Sequence, residues 1–185
     1  MKLETERLHL RRFTPDDLEI YAARIFADPD VMRYLPKRDS LPAERAQRTM
    51  DFFNTHWTQF PYGPWAVQEK ASGELIGHCG LRLIAEINET EVLYALGKDF
   101  WGNGFATEAA RASVDFGFKQ IGLERIIALA VPENIASRKV MAHCGLQYEK
   151  EIQLFGLDCV YYALNRADDK ETANPSILRD KSTGI

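Results

Sequence analysis

The sequence predicts an α/β domain: a mixed sheet of about seven strands with helices on both faces. Three observations predict it. The 185 residues suffice for one such domain and are too few for two generous ones. The apolar periodicity runs strand, helix, helix, three strands, helix, strand, helix, two strands, so that a meander gives way to alternation. Residues 126–131 form the longest wholly apolar run, as expected of a central strand covered on both faces.

The elements follow in order. Residues 6–13 alternate, with Leu8 and Leu10 facing one way and Arg7, His9 and Arg11 the other, which is a period-two strand. Thr14-Pro15-Asp16-Asp17 reads as a helix start: a hydroxyl at the N-cap, proline at the first helical position, and acids facing the positive end of the dipole. Leu18, Tyr21, Ala22 and Ile25 continue at helical spacing until Asp28-Pro29 stops them. Residues 29–41 read as a loop, and a second helix carries Ala46, Met50, Phe53 and Trp57 on one side. Residues 64–69, 75–83 and 91–96 are strands, the first two joined as a hairpin through Ala71-Ser72-Gly73. The helix over about 105–119 lines up Ala106, Ala109, Ala110, Ser113 and Gly117, small side chains that let its backbone lie close on a sheet. Strand 125–131 and a short helix ending at Cys144, with Gly145 at its C′ position, come next. Strands 146–155 and 158–165, joined through Gly156, complete a domain over residues 1–166. Residues 167–185 are polar with few apolar anchors and are expected to form a loosely held tail.

Composition excludes several classes. Apolar residues at 45% and charged residues at 27% are ordinary for a globular chain and too apolar for disorder throughout. With 23 Lys+Arg against 27 Asp+Glu the net charge is −4, so a nucleic-acid partner is not expected, and the acid surplus slightly favours a cationic substrate. No apolar run approaches the roughly 20 residues of a membrane span, and the N-terminal residues do not resemble a signal peptide. Cys79, Cys144 and Cys159 are far apart and without a CxxC, so no disulfide framework and no metal site is expected. A cytoplasmic protein, monomer or homodimer, is expected.

The chemistry concentrates at Trp101-Gly102-Asn103-Gly104-Phe105-Ala106-Thr107, between a strand and a helix. The first turn of a helix carries N–H groups with no internal partner, and the macrodipole adds positive charge there. Glycines let the backbone approach a ligand, so the segment reads either as an anion cradle suited to a pyrophosphate or as a turn that merely starts a helix. A nucleotide P-loop would need Lys-Ser/Thr at its end, and a dinucleotide fingerprint would need glycine where Thr107 stands.

The segment instead resembles the [Gln/Arg]-x-x-Gly-x-[Gly/Ala] acyl-CoA loop of the GNAT N-acetyltransferases, with Gly104 and Ala106 at its small positions and Trp101 in place of Gln or Arg. In that form it is similar to the branch of the ribosomal-protein alanine N-acetyltransferases, as are the opening ETERLHLRRFTPDD and the stretch from Asn134 through Ser137, Val140 and Gly145 to Leu146. The resemblance covers about residues 3–166. It implies the GNAT fold, with a mostly antiparallel sheet and a splayed central strand pair, and an acetyl-CoA-dependent transfer to an amine acceptor.

Carried over by position, it implies that backbone N–H groups of Gly102, Asn103, Gly104, Phe105, Ala106 and Thr107 hold the CoA pyrophosphate. The strand edge at Leu96 and Gly97 would pair with the pantetheine, and Asn134 would bond the same arm. Ser137 would lie near the sulfur and could return a proton to the thiolate; Met141 stands where other branches place a tyrosine acid, so Ser137 or water must serve, or the thiolate leaves unprotonated. Glu91 aligns with a carboxylate that could take the amine proton, directly or through water. Asn134 and Ser137 also suit plain helix capping, and Glu91 also suits an exposed strand start. Arg33, Tyr34 and Phe155 are candidates to wall the acceptor cleft. The four histidines have no ligand spacing and, like Cys144, read as packing or surface residues. The competing readings are a CoA-binding module without turnover and a transferase of longer acyl groups. The acceptor itself, whether protein N-terminus, polyamine, amino sugar or amino-acid-like metabolite, is not legible.

Overall fold

In the computed structural model, which describes residues 2–36 and 40–169, one sheet runs through the molecule. Its eight strands are β1 (Leu3–Glu4), β2 (Leu8–Arg11), β3 (Pro64–Glu69), β4 (Leu75–Ile84), β5 (Glu89–Leu96), β6 (Arg125–Ala130), β7 (Gln147–Leu154) and β8 (Leu157–Asn165). Their order is β1-β2-β3-β4-β5-β6-β8-β7, antiparallel throughout except for the parallel pair β5–β6. The expected count of about seven is corrected to eight. The extra strand pairs only Leu3 with Leu10 and Glu4 with His9, two residues being too short for any alternation to register in the sequence.

The two faces carry different helices. On one lie α1 (Leu18–Tyr21), α2 (Pro29–Met32) and α3 (Pro42–Gln59), where Tyr21, Ile25, Val31, Ala46, Met50 and Phe53 pack against Ala66 and Leu75. On the other lie α4 (Phe105–Phe116) and α5 (Ile135–His143), with Ala109, Ala110, Val114 and Met141 in the larger core. Alternation therefore sorts β5: Val92 and Leu96 join the α4 side with Tyr94, while Leu93 and Ala95 face α1–α3.

Local chemistry explains the helix ends. Asp17 closes the turn at Pro15–Asp17 by accepting from the Thr14 N–H at 2.8 Å and hydroxyl at 3.1 Å, and it holds the Arg11 guanidinium through both oxygens. The stretch expected to be a loop from residue 29 begins instead with α2. Asp28 does end the first helix, but its carboxylate caps Asp30 N–H at 2.8 Å and proline is well placed at the next position, so one dipeptide stops one helix and starts another. The small-residue stripe of α4 does bring the helix close to the sheet. A Cβ on Gly117, in the π turn that continues α4, would meet Ile126 and Leu81 methyls at 2.8 Å. At the far end Asp169 is buried against Arg111 at 2.6 Å, and the remainder of the expected tail lies outside the described residues.

Candidate active site

The central feature is a fork in the sheet. β5 and β6 share a single registered pair, Glu91 with Ile127, and then diverge. Gly97 donates to Ile76 O at 2.8 Å across β4, so ladder alternation turns the N–H and C=O of Leu96 and Tyr94 the other way, into the fork. The Leu96 carbonyl is taken by the Trp101 indole N–H at 2.8 Å. The tryptophan that departs from the common loop pattern thus staples the loop to the end of β5.

At the mouth of the fork stands the N-terminus of α4. Gly102 and Gly104 hold φ of 76° and 80°, left-handed values that suit glycine, and Gly104 is the N-cap. No side chain caps the helix, and its first internal bond is Glu108 N–H to Gly104 O, so the N–H groups of Phe105, Ala106 and Thr107 precede the ladder. A Cβ on Gly102 would meet nothing within 4 Å, and one on Gly104 only Arg7 Nη2 at 3.5 Å. An open, glycine-walled array of donors at the positive end of a twelve-residue helix fits a pyrophosphate.

Arg7, unnoticed as a site residue in the sequence, braces this loop. Its Nη1 donates to Asn103 O at 2.9 Å, its Nε to Glu108 Oε2 at 2.7 Å, and its guanidinium lies 4.5 Å from the centre of the Phe105 ring. Burial raises the Glu108 carboxyl, but bonds from Thr5, the Arg7 N–H and the Arg7 guanidinium outweigh it and hold the group below its ordinary range. A first-turn carboxylate that would repel an anion is thereby compensated.

On the α5 side of the fork, Asn134 caps the helix by accepting from the Ser137 N–H at 3.1 Å. That uses the amide oxygen and leaves the NH₂ group for another partner. The Ser137 hydroxyl meets the Tyr94 hydroxyl at 2.9 Å, and the same phenol donates to Ser137 O at 2.9 Å. Burial pushes the Tyr94 phenol well up, so it keeps its proton. Met141 is buried. Tyr94 was indistinguishable in the sequence from the other aromatics that fill the core; only its position two residues from a splayed strand end gave a signal.

On the α1–α3 side the cleft has a volume of about 580 Å³. Its lining includes Phe26, Leu35, Arg45, Arg48, Phe52 and Phe53 from the helical side, His78, Arg82, Leu83 and Leu93 from the sheet, and Glu86 and Phe155 from turns. Of the residues expected to wall it, Phe155 does; Arg33 and Tyr34 stack on each other at 5.5 Å just before Leu35, outside the lining. Glu91 is buried beside the cleft, where Arg82, its cross-strand partner, donates from Nε at 2.8 Å. His78 bonds the Tyr21 hydroxyl through Nδ1 at 2.8 Å, and burial, with help from Arg82, drives its imidazole down to about 3, so the cleft floor is neutral. Burial also pushes the Cys79 and Cys144 thiols up to about 12, far from thiolate chemistry.

Comparison with known proteins gives the family and the fold. Residues 7–147 match the Acetyltransferase (GNAT) domain. The uncharacterized protein YkkB of Bacillus subtilis (strain 168) is 34% identical over 165 residues, 87% of this chain and 94% of that one. An acetyltransferase (GNAT family) from Bacillus anthracis superposes with a TM-score of 0.73 at 27% identity, covering 90% of this chain and 99% of its own. Mycobacterium smegmatis RimJ in complex with CoA-disulfide shares the fold with a TM-score of 0.72 at 20% identity, covering 89% of this chain and 86% of its own.

Proposed function

The chain belongs to the GNAT acetyltransferases, and we propose that it moves the acetyl group of acetyl-CoA onto a primary amine by direct attack in a ternary complex. The observation that carries this reading is the fork: a strand pair that diverges after one bridge, with an uncapped helix N-terminus at its mouth and a cleft on one face. A chain solved with CoA-disulfide in the same fold supports the cosubstrate. Acetyl-CoA supplies an activated thioester; the protein positions it and the amine.

Gly102, Asn103, Gly104, Phe105, Ala106 and Thr107 offer their backbone N–H groups to the pyrophosphate, and the Tyr94 N–H and C=O and the Leu96 N–H offer the strand edge to the pantetheine amides, with the Asn134 NH₂ adding a bond. Gly97, expected to share that edge, turns its N–H to Ile76 of β4 instead, and the Leu96 carbonyl is held by Trp101. The amine enters from the cleft, on the face of Glu91 and Leu93. Its nitrogen bonds to the thioester carbon as the C–S bond breaks, and its proton passes to Glu91 or to a water that Glu91 holds. On the opposite face Ser137 turns its hydroxyl proton to the developing thiolate while the single Tyr94 phenol proton moves from the Ser137 carbonyl to Ser137 Oγ, which also lies at 2.9 Å. Charge on sulfur is thus met by a donor that is itself polarised by a second donor. CoA leaves as the thiolate and takes its proton from solvent. Holding both substrates in one fork converts a bimolecular step into an intramolecular one.

The test is thiol release from acetyl-CoA, with succinyl-CoA in competition, over a panel of amines: peptides beginning with Ala and Ser, spermidine, an aminoglycoside and free amino acids. Turnover with acetyl-CoA and at least one amine supports the reading. CoA binding without thiol release from any of them would leave a binding module.

A further inference from the structure

We propose that the amine accepted at this cleft is an apolar α-amino acid, its carboxylate held by arginine and its side chain by the aromatic wall; this rests on the acetyltransferase reading of the same site. The whole chain is acidic, but an acceptor meets only the charges that face it. Among the described lining residues those are Arg45, Arg48 and Arg82 against the carboxylate of Glu86, with Glu91, buried and paired to Arg82, just behind them. Arg45 and Arg48 come from one stripe of α3 that also brings Phe52, so cation and apolar surface alternate along one wall. Arg45 is engaged with Pro36 O at 2.8 Å. Arg48 is exposed and makes no ion pair among the described residues. Arg82 gives Nε to Glu91 and keeps both Nη groups, and its guanidinium lies 5.5 Å from the centre of the Phe155 ring. Phe52 and Phe155 are half exposed, at 48% and 49%, which is large apolar surface for a free cleft wall.

The register selects the α-amino acid among anionic amines. Arg82 and Glu91 face each other across β4 and β5, and Glu91 marks the vertex of the fork. A carboxylate on the Arg82 Nη groups and an amine directed at Glu91 must be close neighbours in the acceptor, as they are across one α-carbon. A polyamine or amino sugar would instead bring a second ammonium against the guanidiniums. The volume of about 580 Å³ suits a small molecule.

The experiment uses matched sets: phenylalanine and leucine, each beside its amide and its decarboxylated amine, with spermidine as the cationic control. Rates are corrected for the neutral fraction of each amine at the assay pH. The acids are expected to exceed both partners in kcat/KM by about tenfold or more, and Arg48→Gln is expected to shrink that ratio severalfold, as is added salt. Amides or plain amines at parity or better, spermidine as the best acceptor, or a ratio untouched by both Arg48→Gln and Arg82→Gln would overturn the proposal. Better amides would point to protein N-termini. A second arm needs no turnover: calorimetric binding of N-acetylphenylalanine and N-acetylphenethylamine with CoA present. Preference for the acid, lost in Arg48→Gln, sustains the charge reading even if no amine releases thiol, in which case the proposed reaction fails alone. Binding of neither compound, or equal binding of both, overturns the charge reading itself.

Discussion

At the residue scale the proposed chemistry rests on two hydroxyls and one carboxylate. Tyr94 touches Ser137 twice, at 2.9 Å each, and its own proton stays in place because burial raises the phenol. Ser137→Ala is expected to lower kcat by about 10- to 100-fold with acetyl-CoA affinity nearly unchanged, since a hydrogen bond to developing charge is worth roughly 1.5–3 kcal/mol. Tyr94→Phe should cost less, and the double variant should be no worse than Ser137→Ala, because the phenol acts through the serine. Single-turnover rates for the three variants check this, and strictly additive losses would reduce Tyr94 to packing. For Glu91, the prediction is in the pH profile. An α-amine with pKa near 7.7–8.0 is already roughly 10–15% neutral at pH 7, whereas an amine near 10.4 needs about 4.6 kcal/mol to lose its proton there. Glu91→Gln should therefore slow kcat/KM most below pH 8 and recover toward the parent as pH rises, nearly fully by about pH 9 for a chain-terminal α-amine and only at higher pH for a free amino acid, whose own ionised carboxylate raises its amine. A parallel loss at every pH would assign Glu91 to holding Arg82 instead.

Among the elements, the loop before α4 and the brace from the N-terminal strands act together. Replacing Gly104 by a β-branched residue would confound binding with folding, since φ there is 80°. Asparagine tolerates that conformation, so Gly104→Asn isolates the effect of a side chain at the donor array. It is expected to weaken acetyl-CoA by about tenfold or more with little change in Tm; an unchanged Kd would mean that the array does not hold the pyrophosphate. Arg7→Gln is expected to weaken acetyl-CoA several-fold by freeing the Asn103 carbonyl and uncovering Glu108. Adding Glu108→Gln should restore part of the loss, because the uncovered charge is then gone. Titration calorimetry on the single and double variants decides between that coupling and a simple loss of packing.

For the whole molecule, two buried histidines are expected to cost stability between pH 7 and pH 5. His56 uses both nitrogens, donating to Tyr62 O at 2.9 Å and accepting the Leu83 N–H at 3.0 Å, and His78 lies under the cleft. Burial lowers both, His78 to about 3. Between that value and the ordinary 6.5 the unfolded chain binds a proton that the folded chain refuses, so stability present above about pH 6.5 is lost as pH falls. At pH 5 the His78 share is about 2 kcal/mol, or roughly 4–8 °C in Tm for a domain of this size. His78→Gln keeps a partner for the Tyr21 hydroxyl and should flatten the fall in Tm between pH 7 and pH 5 by about that amount. An identical slope in parent and variant would place the acid sensitivity elsewhere.

Much of this was legible from spacing alone. The strand at residues 64–69, the long helix with Ala46, Met50, Phe53 and Trp57, and the glycine loop before α4 all stand where periodicity and turn chemistry put them, because those signals are local to the chain. Asn134 and Ser137 were equally visible as a cap, and the cap is present. What the sequence by itself determined was therefore the elements, their faces and the family. It could not give β1, which is too short to have a period, nor α2, whose Asp-Pro start reads equally well as a stop. Nor could it give any contact between residues far apart in the chain. Arg7 reaches Glu108, Tyr94 reaches Ser137 and Arg82 is shared between Glu91 and Phe155 only once the sheet order is fixed. The charge of the acceptor cleft was hidden for the same reason. Net charge sums over the whole surface, whereas an acceptor in the proposed cleft would feel the few groups within a Debye length, and only the tertiary structure decided that the described lining carries three arginines and one carboxylate.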